Sequence, residues 1–281
     1  MEPIQGNVSI DAQNIMPIIK KWLYSDKDIF IREVVSNGCD AITKLRMVDS
    51  AAAQGCSIHV EVDKAARELR FIDDGVGMTE DEVKTNINQV AFSGAKSFME
   101  EYAKNEDKEN SGIIGHFGLG FYSVFMIADK VTIDTLSFRE GATPVRWESE
   151  DGMAFTMTEG TRTARGTTIT LHVSEAESEF LEVWRVREVL DRYCSFMSVP
   201  IYLDEIKEEE AKVTGDGAEE KSEPEKEAPK PINDTQPLYA RAPQDCTDED
   251  YKQFYRKVFH EYEDPLFRSE ERRVGKECRS R

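Results

Sequence analysis

The sequence lacks the marks of several large protein classes. Its five cysteines, at positions 39, 56, 194, 246 and 278, are scattered and never form C-x-x-C. That argues against a disulfide framework or a thiolate zinc site, and for reduced thiols in a cytoplasm. The four histidines are isolated, whereas a zinc site needs three or four converging ligands. No run of 18 apolar residues exists, so no membrane-spanning helix is expected. The opening MEPIQGNVSIDAQ has no basic-then-apolar signal pattern. Basic residues are outnumbered, 36 Lys and Arg against 55 Asp and Glu, for a net charge of −19. Such a chain is a poor binder of phosphate backbones, so nucleic acid is not an expected partner.

What is present suffices for one large domain and part of a second: 281 residues, 39% of them hydrophobic. Residues 1–202 mix helix and strand patterns with aromatics throughout. Residues 203–238 contain no aromatic and run DEIKEEEAKVTGDGAEEKSEPEKEAPKP. A segment this charged cannot bury enough surface to offset its ordering entropy, so it reads as a flexible linker. Aromatics return at 239–267, where YKQFYRKVFHEYEDPLF reads as an amphipathic helix opening another domain.

Within the first region, helices are expected at 15–24 and 28–48, the first with Pro17 in an N–H-free first turn. Strands are expected at 57–62, 69–73, 131–136, 145–149, 153–158 and 167–173. A capping-box helix starts near Thr79, FYSVFMIA reads as a buried helix, and 179–196 is a last helix before a strand at VPIYL. Hairpin-like strand succession favours α+β, with helices on one face of a mixed sheet.

The helix at 28–48 carries an unusual polar stripe. At 100° per residue, Glu33, Asn37, Asp40 and Lys44 lie within about 60° of one another. The stripe borders the apolar face of Phe30, Ile31, Val34, Ala41, Ile42 and Leu45 instead of opposing it. Ser36, Thr43, Arg32 and Arg46 are expected on the wet side. On this helix alone the stripe reads first as a solvated face with an Asp40–Lys44 pair worth ~0.3–0.5 kcal/mol.

Three further motifs accompany it. In IDDGVGMT a strand ends at Asp73, and Gly75 and Gly77 open a turn; this is either an ordinary Asp-Gly turn or a close approach to a ligand. SGIIGHFGLGFYS is Gly-rich but neither a dinucleotide fingerprint nor a Walker loop. It leads into a helix, and such a loop aims N–H groups at an anion or simply packs. In ARGTTITLHV, Thr167 opens an alternating strand and is most simply a β-former.

In this order and spacing, the four motifs resemble the ATP-binding fold shared by DNA gyrase, ninety-kilodalton heat-shock chaperones, histidine kinases and mismatch-repair ATPases. WLYSDKDIFIREVVSNGCDAITKLR, GHFGLGFYSVFMIADKV, TQPLYAR and DYKQFYRKVFHEYEDPL narrow the resemblance to the heat-shock chaperones, most of all the bacterial type, across residues 5–267. The fold this implies is a two-layer α+β sandwich of helices on a mixed, mostly antiparallel sheet. The domains it implies are an ATP-binding domain at 1–202, the charged linker at 203–238 and the start of a middle domain at 239–267. ATP and Mg²⁺ are the implied cofactors. Glu33 would be the general base, Asn37 the Mg²⁺ ligand, and Asp40 and Lys44 the ribose and phosphate side. Ala41 would form pocket wall, and Asp73 would accept from the adenine amino group. Gly77, Met78 and Thr167 would surround the base, with Asn86 at the rim. Gly115, Phe117, Gly118 and Gly120 would form the lid hinge, with Phe121 beside the nucleotide. Two positions depart from the family pattern: Phe92 replaces a basic lid residue, and His116 stands where Gln is usual.

The resemblance stops after Phe267. RSEERRVGKECRSR has six Arg and Lys against three Glu and Val274 as its one aliphatic residue, so 268–281 is expected to be a non-native tail. The family's remaining middle domain, with an Arg that reaches the γ-phosphate, and its C-terminal dimerisation domain would then lie outside this chain. The implied function is the ATPase end of a cytoplasmic chaperone, homodimeric at full length, acting on client proteins. A nucleotide-binding module with negligible turnover is the alternative. A histidine kinase would need an upstream phospho-acceptor helix, for which there is no room before residue 15.

Overall fold

The alternation in SIHVEV, LRFID, VTIDT and TTITLHV sends every second side chain to one sheet face. In the computed structural model, which describes residues 26–89, 113–114, 120–206, 229–259 and 263–264, these segments join one sheet. The strands are β1 (Ile58–Asp63), β2 (Glu68–Asp73), β3 (Ala128–Leu136), β4 (Val145–Ser149), β5 (Thr156–Glu159), β6 (Gly166–Val173) and β7 (Ile201–Ile206). Their order is β5-β4-β3-β6-β2-β1-β7. Every pairing is antiparallel except β1 with β7, which is parallel. The sheet is therefore mixed and mostly antiparallel, and the expected α+β fold is correct. The helical region 15–24 lies outside the described residues.

One face of the sheet is buried. Ile58, Val60, Val62, Leu69, Phe71, Val131, Ile133, Leu171 and Val173 join a core completed by helix α1 (Ile29–Val48) and helix α3 (Val183–Cys194). The other face is half-exposed and charged. Arg70 spans Asp63 at 3.3 Å and Glu68 at 2.5 Å, and Arg146 spans Asp134 and Glu148, both at 2.8 Å. Among the described residues no helix is long and apolar enough to cross a membrane.

Helix α2 (Glu80–Asn86) starts as its sequence dictates. Thr79 accepts from the Glu82 N–H, and the Glu82 carboxylate accepts from the Thr79 N–H. FYSVFMIA differs from expectation: Gly120–Met126 forms a 3-10 helix. The region expected as one helix at 179–196 is a 3-10 stretch, Glu175–Leu181, followed by α3.

Two expectations need correction. Ser36 is buried, not wet. The wheel assigned one partner to α1, but α1 packs on the sheet and also against α3. Cys39, close to Ser36 on the wheel, contacts Met197 through the two sulfurs at 3.7 Å. The linker boundaries also move. Residues 203–206 belong to β7, whose backbone pairs with β1 although Asp204 and Glu205 are charged. At the other end, the Ile232 N–H donates to the Ile201 carbonyl. The Asn233 side chain accepts from the Ile201 N–H and donates to the Met197 and Val199 carbonyls. Composition reported the charge of this segment correctly, but backbone hydrogen bonding is blind to composition.

Residues from Gln236 form a separate unit. In it helix α4 (Asp248–Phe259) forms as its amphipathic pattern predicts, with Phe254 edge-on to Tyr239 at 6.2 Å.

Candidate functional site

The stripe residues owe their placement to the start of α1. Asp28 precedes the helix but makes no side-chain cap. It is buried, and its carboxylate accepts from Arg185 of α3 at 2.5 Å. Tyr193 donates to Asp26 at 2.9 Å. These contacts pin the first turn of α1 against α3, and Glu33 follows one turn later.

Glu33 is largely buried. Its Oε1 accepts from Arg32 Nη2 at 2.6 Å and Nε at 3.2 Å. Its Oε2 faces Gly120 so closely that a Cβ there would lie 2.2 Å away. Asn37 is exposed one turn on. Asp40 is buried, and its Oδ1 accepts from the Ile114 N–H at 2.7 Å. Burial lowers the Lys44 pKa, against the opposing pull of Asp40 and of Glu82 from α2. From Glu33 to Lys44 the stripe extends about 16 Å along the helix.

Asp73 ends β2 beneath this helix. The loop after it is tied to α1, since the Val76 N–H donates to the Ala41 carbonyl at 3.2 Å. The Asp73 carboxylate accepts from the Gly75 N–H at 2.8 Å, and Thr167 stands opposite it on β6. Burial nonetheless dominates and pushes its pKa up to about 7. Gly77 has φ +60°, and a Cβ there would strike the Leu136 carbonyl oxygen at 1.9 Å, so the turn requires glycine. The Met78 N–H donates to Thr135 Oγ1 at 2.9 Å, and Thr135 Oγ1 lies 3.0 Å from Thr167 Oγ1.

Two groups thus form along one helix. Ala41, Asp73, Gly77, Met78 and Thr167 are linked at the buried end, Glu33 and Gly120 meet at the other, and Asp40 stands on α1 beside Ala41. Phe121 is buried in an aromatic cluster, 5.8 Å from Trp147 and 6.2 Å from Phe125. Asn86 ends α2, half-buried; its neighbour Asn88 accepts from the Trp147 indole. Gly115, Phe117 and Gly118, like Phe92 and His116, lie outside the described residues.

Thr135 and Arg32 were not among the expected site residues. Thr135 left a trace: it is the inward-facing position after Val131 and Ile133, where a third aliphatic would be ordinary. Arg32 left none, because adjacent residues on a helix do not ordinarily face each other.

The chemistry of these groups suits a purine nucleotide. A buried carboxylate with spare lone pairs wants an N–H donor. Among the described residues there is no cluster of three or more His, Cys, Asp or Glu able to hold a metal. An exposed amide oxygen such as that of Asn37 is of the kind that Mg²⁺ accepts as one ligand beside phosphates and water.

Comparison with known proteins points the same way. Residues 28–152 match the family described as "Histidine kinase-, DNA gyrase B-, and HSP90-like ATPase", and residues 225–272 match "Hsp90 protein". The chain is 42% identical over 268 residues to Chaperone protein HtpG of Porphyromonas gingivalis, covering 94% of the chain and 37% of that protein. It is 43% identical over 272 residues to Chaperone protein HtpG of Bacteroides thetaiotaomicron, again covering 94% and 37%. With Chaperone protein HtpG of Alkalilimnicola ehrlichii the identity is 37% over 271 residues, covering 91% and 40%. The chain spans well under half the length of these curated relatives.

Proposed function

We propose, from the premise that this chain belongs to the HSP90-like ATPases, that it binds Mg-ATP along α1 and takes part in its hydrolysis to ADP and phosphate. The observation that carries this reading is the run of polar side chains from buried Asp73 past Asp40 and Asn37 to Glu33. It offers an acceptor for adenine at one end and a carboxylate for water at the other.

Asp73 accepts from the adenine amino group, and Gly77, Met78, Ala41 and Thr167 enclose the base. Asp40 and Lys44 serve the ribose and phosphate side. Asn37 contributes an oxygen to Mg²⁺, which when bound screens the phosphate charge. Glu33 takes a proton from water aligned with the γ-phosphate; Arg32 fixes one of its oxygens. Positioning and charge stabilisation, not covalent chemistry, are what phosphoryl transfer demands. The family resemblance assigns Asn86 to the pocket rim, Phe121 to the side of the nucleotide, and Gly115, Phe117, Gly118 and Gly120 to the lid hinge.

In the longer protein this activity would drive an ATP-dependent chaperone cycle on client proteins, in a cytoplasmic homodimer joined by regions outside this chain. The second reading, binding with negligible turnover, is favoured for the chain alone if γ-phosphate contacts come from elsewhere. The experiment is paired, with ATP titration and steady-state phosphate release on Glu33→Ala and Asn37→Ala in a full-length protein. Glu33→Ala keeps binding and loses ~10²–10⁴ in rate, whereas Asn37→Ala weakens binding itself. Wild-type turnover by Glu33→Ala would remove the base from this assignment.

A further inference from the structure

Three buried polar residues form a row across three strands. Thr135 on β3 is the cross-strand partner of Thr167 on β6, and Thr167 is the partner of Asp73 on β2. All three are buried. Beyond Asp73 the row continues as Ile58 and Ile201 and becomes apolar. The polar half coincides with the proposed base-binding end.

The protons in this row can be counted. Thr135 Oγ1 has three neighbours: the Met78 N–H at 2.9 Å, the Gly166 carbonyl at 3.2 Å and Thr167 Oγ1 at 3.0 Å. A hydroxyl has one proton and two lone pairs. The Met78 N–H can only donate, and takes one lone pair. The Gly166 carbonyl can only accept, and takes the proton. The remaining lone pair of Thr135 is satisfied only if Thr167 donates to it. The Thr167 proton is then committed to Thr135, and the free side of Thr167 Oγ1 is an acceptor.

We infer that Thr135 is a positioning residue that holds the Thr167 hydroxyl as an acceptor, so that Thr167 and Asp73 together select a purine with an amino group at position six over one with a carbonyl. This rests on the nucleotide reading above. The spacing suits it. Two acceptors flanking one amino nitrogen at about 2.9 Å stand about 5 Å apart, and directly opposed cross-strand side chains are separated by about 4.5–5.5 Å. With Asp73 ionised, a six-carbonyl would face two acceptors with no donor between them, a mismatch that sites built for hydrogen bonding reject strongly.

The test is calorimetric titration of the whole chain with ADP and with inosine diphosphate, for wild type, Thr135→Val and Thr135→Ser. Thr135→Val frees the Thr167 proton to turn toward a carbonyl. The ADP-to-IDP affinity ratio is expected to fall about three- to tenfold, and Thr135→Ser restores it. A merely structural Thr135 would weaken both ligands equally, and that outcome, or failure of Ser to restore the ratio, overturns the inference. Should Thr135→Val not fold, Thr167→Val carries the same readout: ADP affinity falls while IDP affinity changes less than about twofold. Equal loss of both is the overturning result. If wild type binds neither nucleotide, the nucleotide reading itself has failed and this inference falls with it.

Discussion

Glu33 and Gly120 meet without room for one more carbon atom. A Cβ at residue 120 would lie 2.2 Å from Glu33 Oε2 and 3.1 Å from its carboxyl carbon. The side chain has little freedom to retreat, because Arg32 holds the other oxygen. Gly120→Ala therefore displaces the proposed base and leaves the buried end of the site intact. Phosphate release is expected to fall by ~10²-fold or more, with ADP affinity changed by no more than a few-fold. Phosphate-release kinetics and titration on the same preparation check it.

Asp73 makes the site sensitive to pH near neutrality. Burial raises its pKa to about 7, and only the ionised form has every lone pair available to adenine. Below about pH 7, each unit of acidification should weaken adenine nucleotide binding up to about tenfold, flattening above pH 8. Stability without ligand runs the other way. A carboxylate whose folded pKa is raised favours folding when protonated, and that contribution is lost as pH rises through about 7. Urea midpoints without nucleotide should therefore be higher at pH 6 than at pH 8, and Asp73→Asn should abolish that difference along with nucleotide binding.

Asn233 closes three backbone groups between Met197 and Ile201 with one side chain. Asn233→Ala leaves them buried and unpaired, at a cost of about 2–4 kcal/mol in urea unfolding. Removing residues 207–228 with a short replacement should leave stability and ADP affinity unchanged. Removing 203–238 should cost at least as much as Asn233→Ala.

Arg185 holds buried Asp28 at the base of α1. Arg185→Met strands that carboxylate and should cost about 2–3 kcal/mol. Adding Asp28→Asn should recover about half of the loss. Chemical unfolding of the two single variants and the double variant gives the coupling directly.

Much of this was legible in the sequence, for reasons that differ by element. The stripe from Glu33 to Lys44 follows from helical period alone, and the start of α2 from the Thr79 and Glu82 capping pair. The alternating strands announced themselves, but their register did not. That Asp73, Thr167 and Thr135 share a row depends on pairings among segments far apart in the chain, which no local pattern encodes. Ser36 was misplaced because a wheel knows only one helix, and α1 has neighbours on two sides. The ends of the charged segment were misread because their order comes from backbone pairing and one asparagine.

The same row sets an order of events. Asp73 has its β1 neighbour within a hairpin, but its Thr167 neighbour arrives only about ninety residues later in the chain, and such distant pairings form slowly. Until β6 inserts between β2 and β3, the carboxylate has no second wall and Thr135 no hydroxyl to orient. A chain emerging from a ribosome would hold every residue of the α1 stripe long before it could recognise a base. The proposed nucleotide binding would thus report that the sheet has closed across its middle, and a nucleotide added during refolding would capture only those molecules that have finished assembling it.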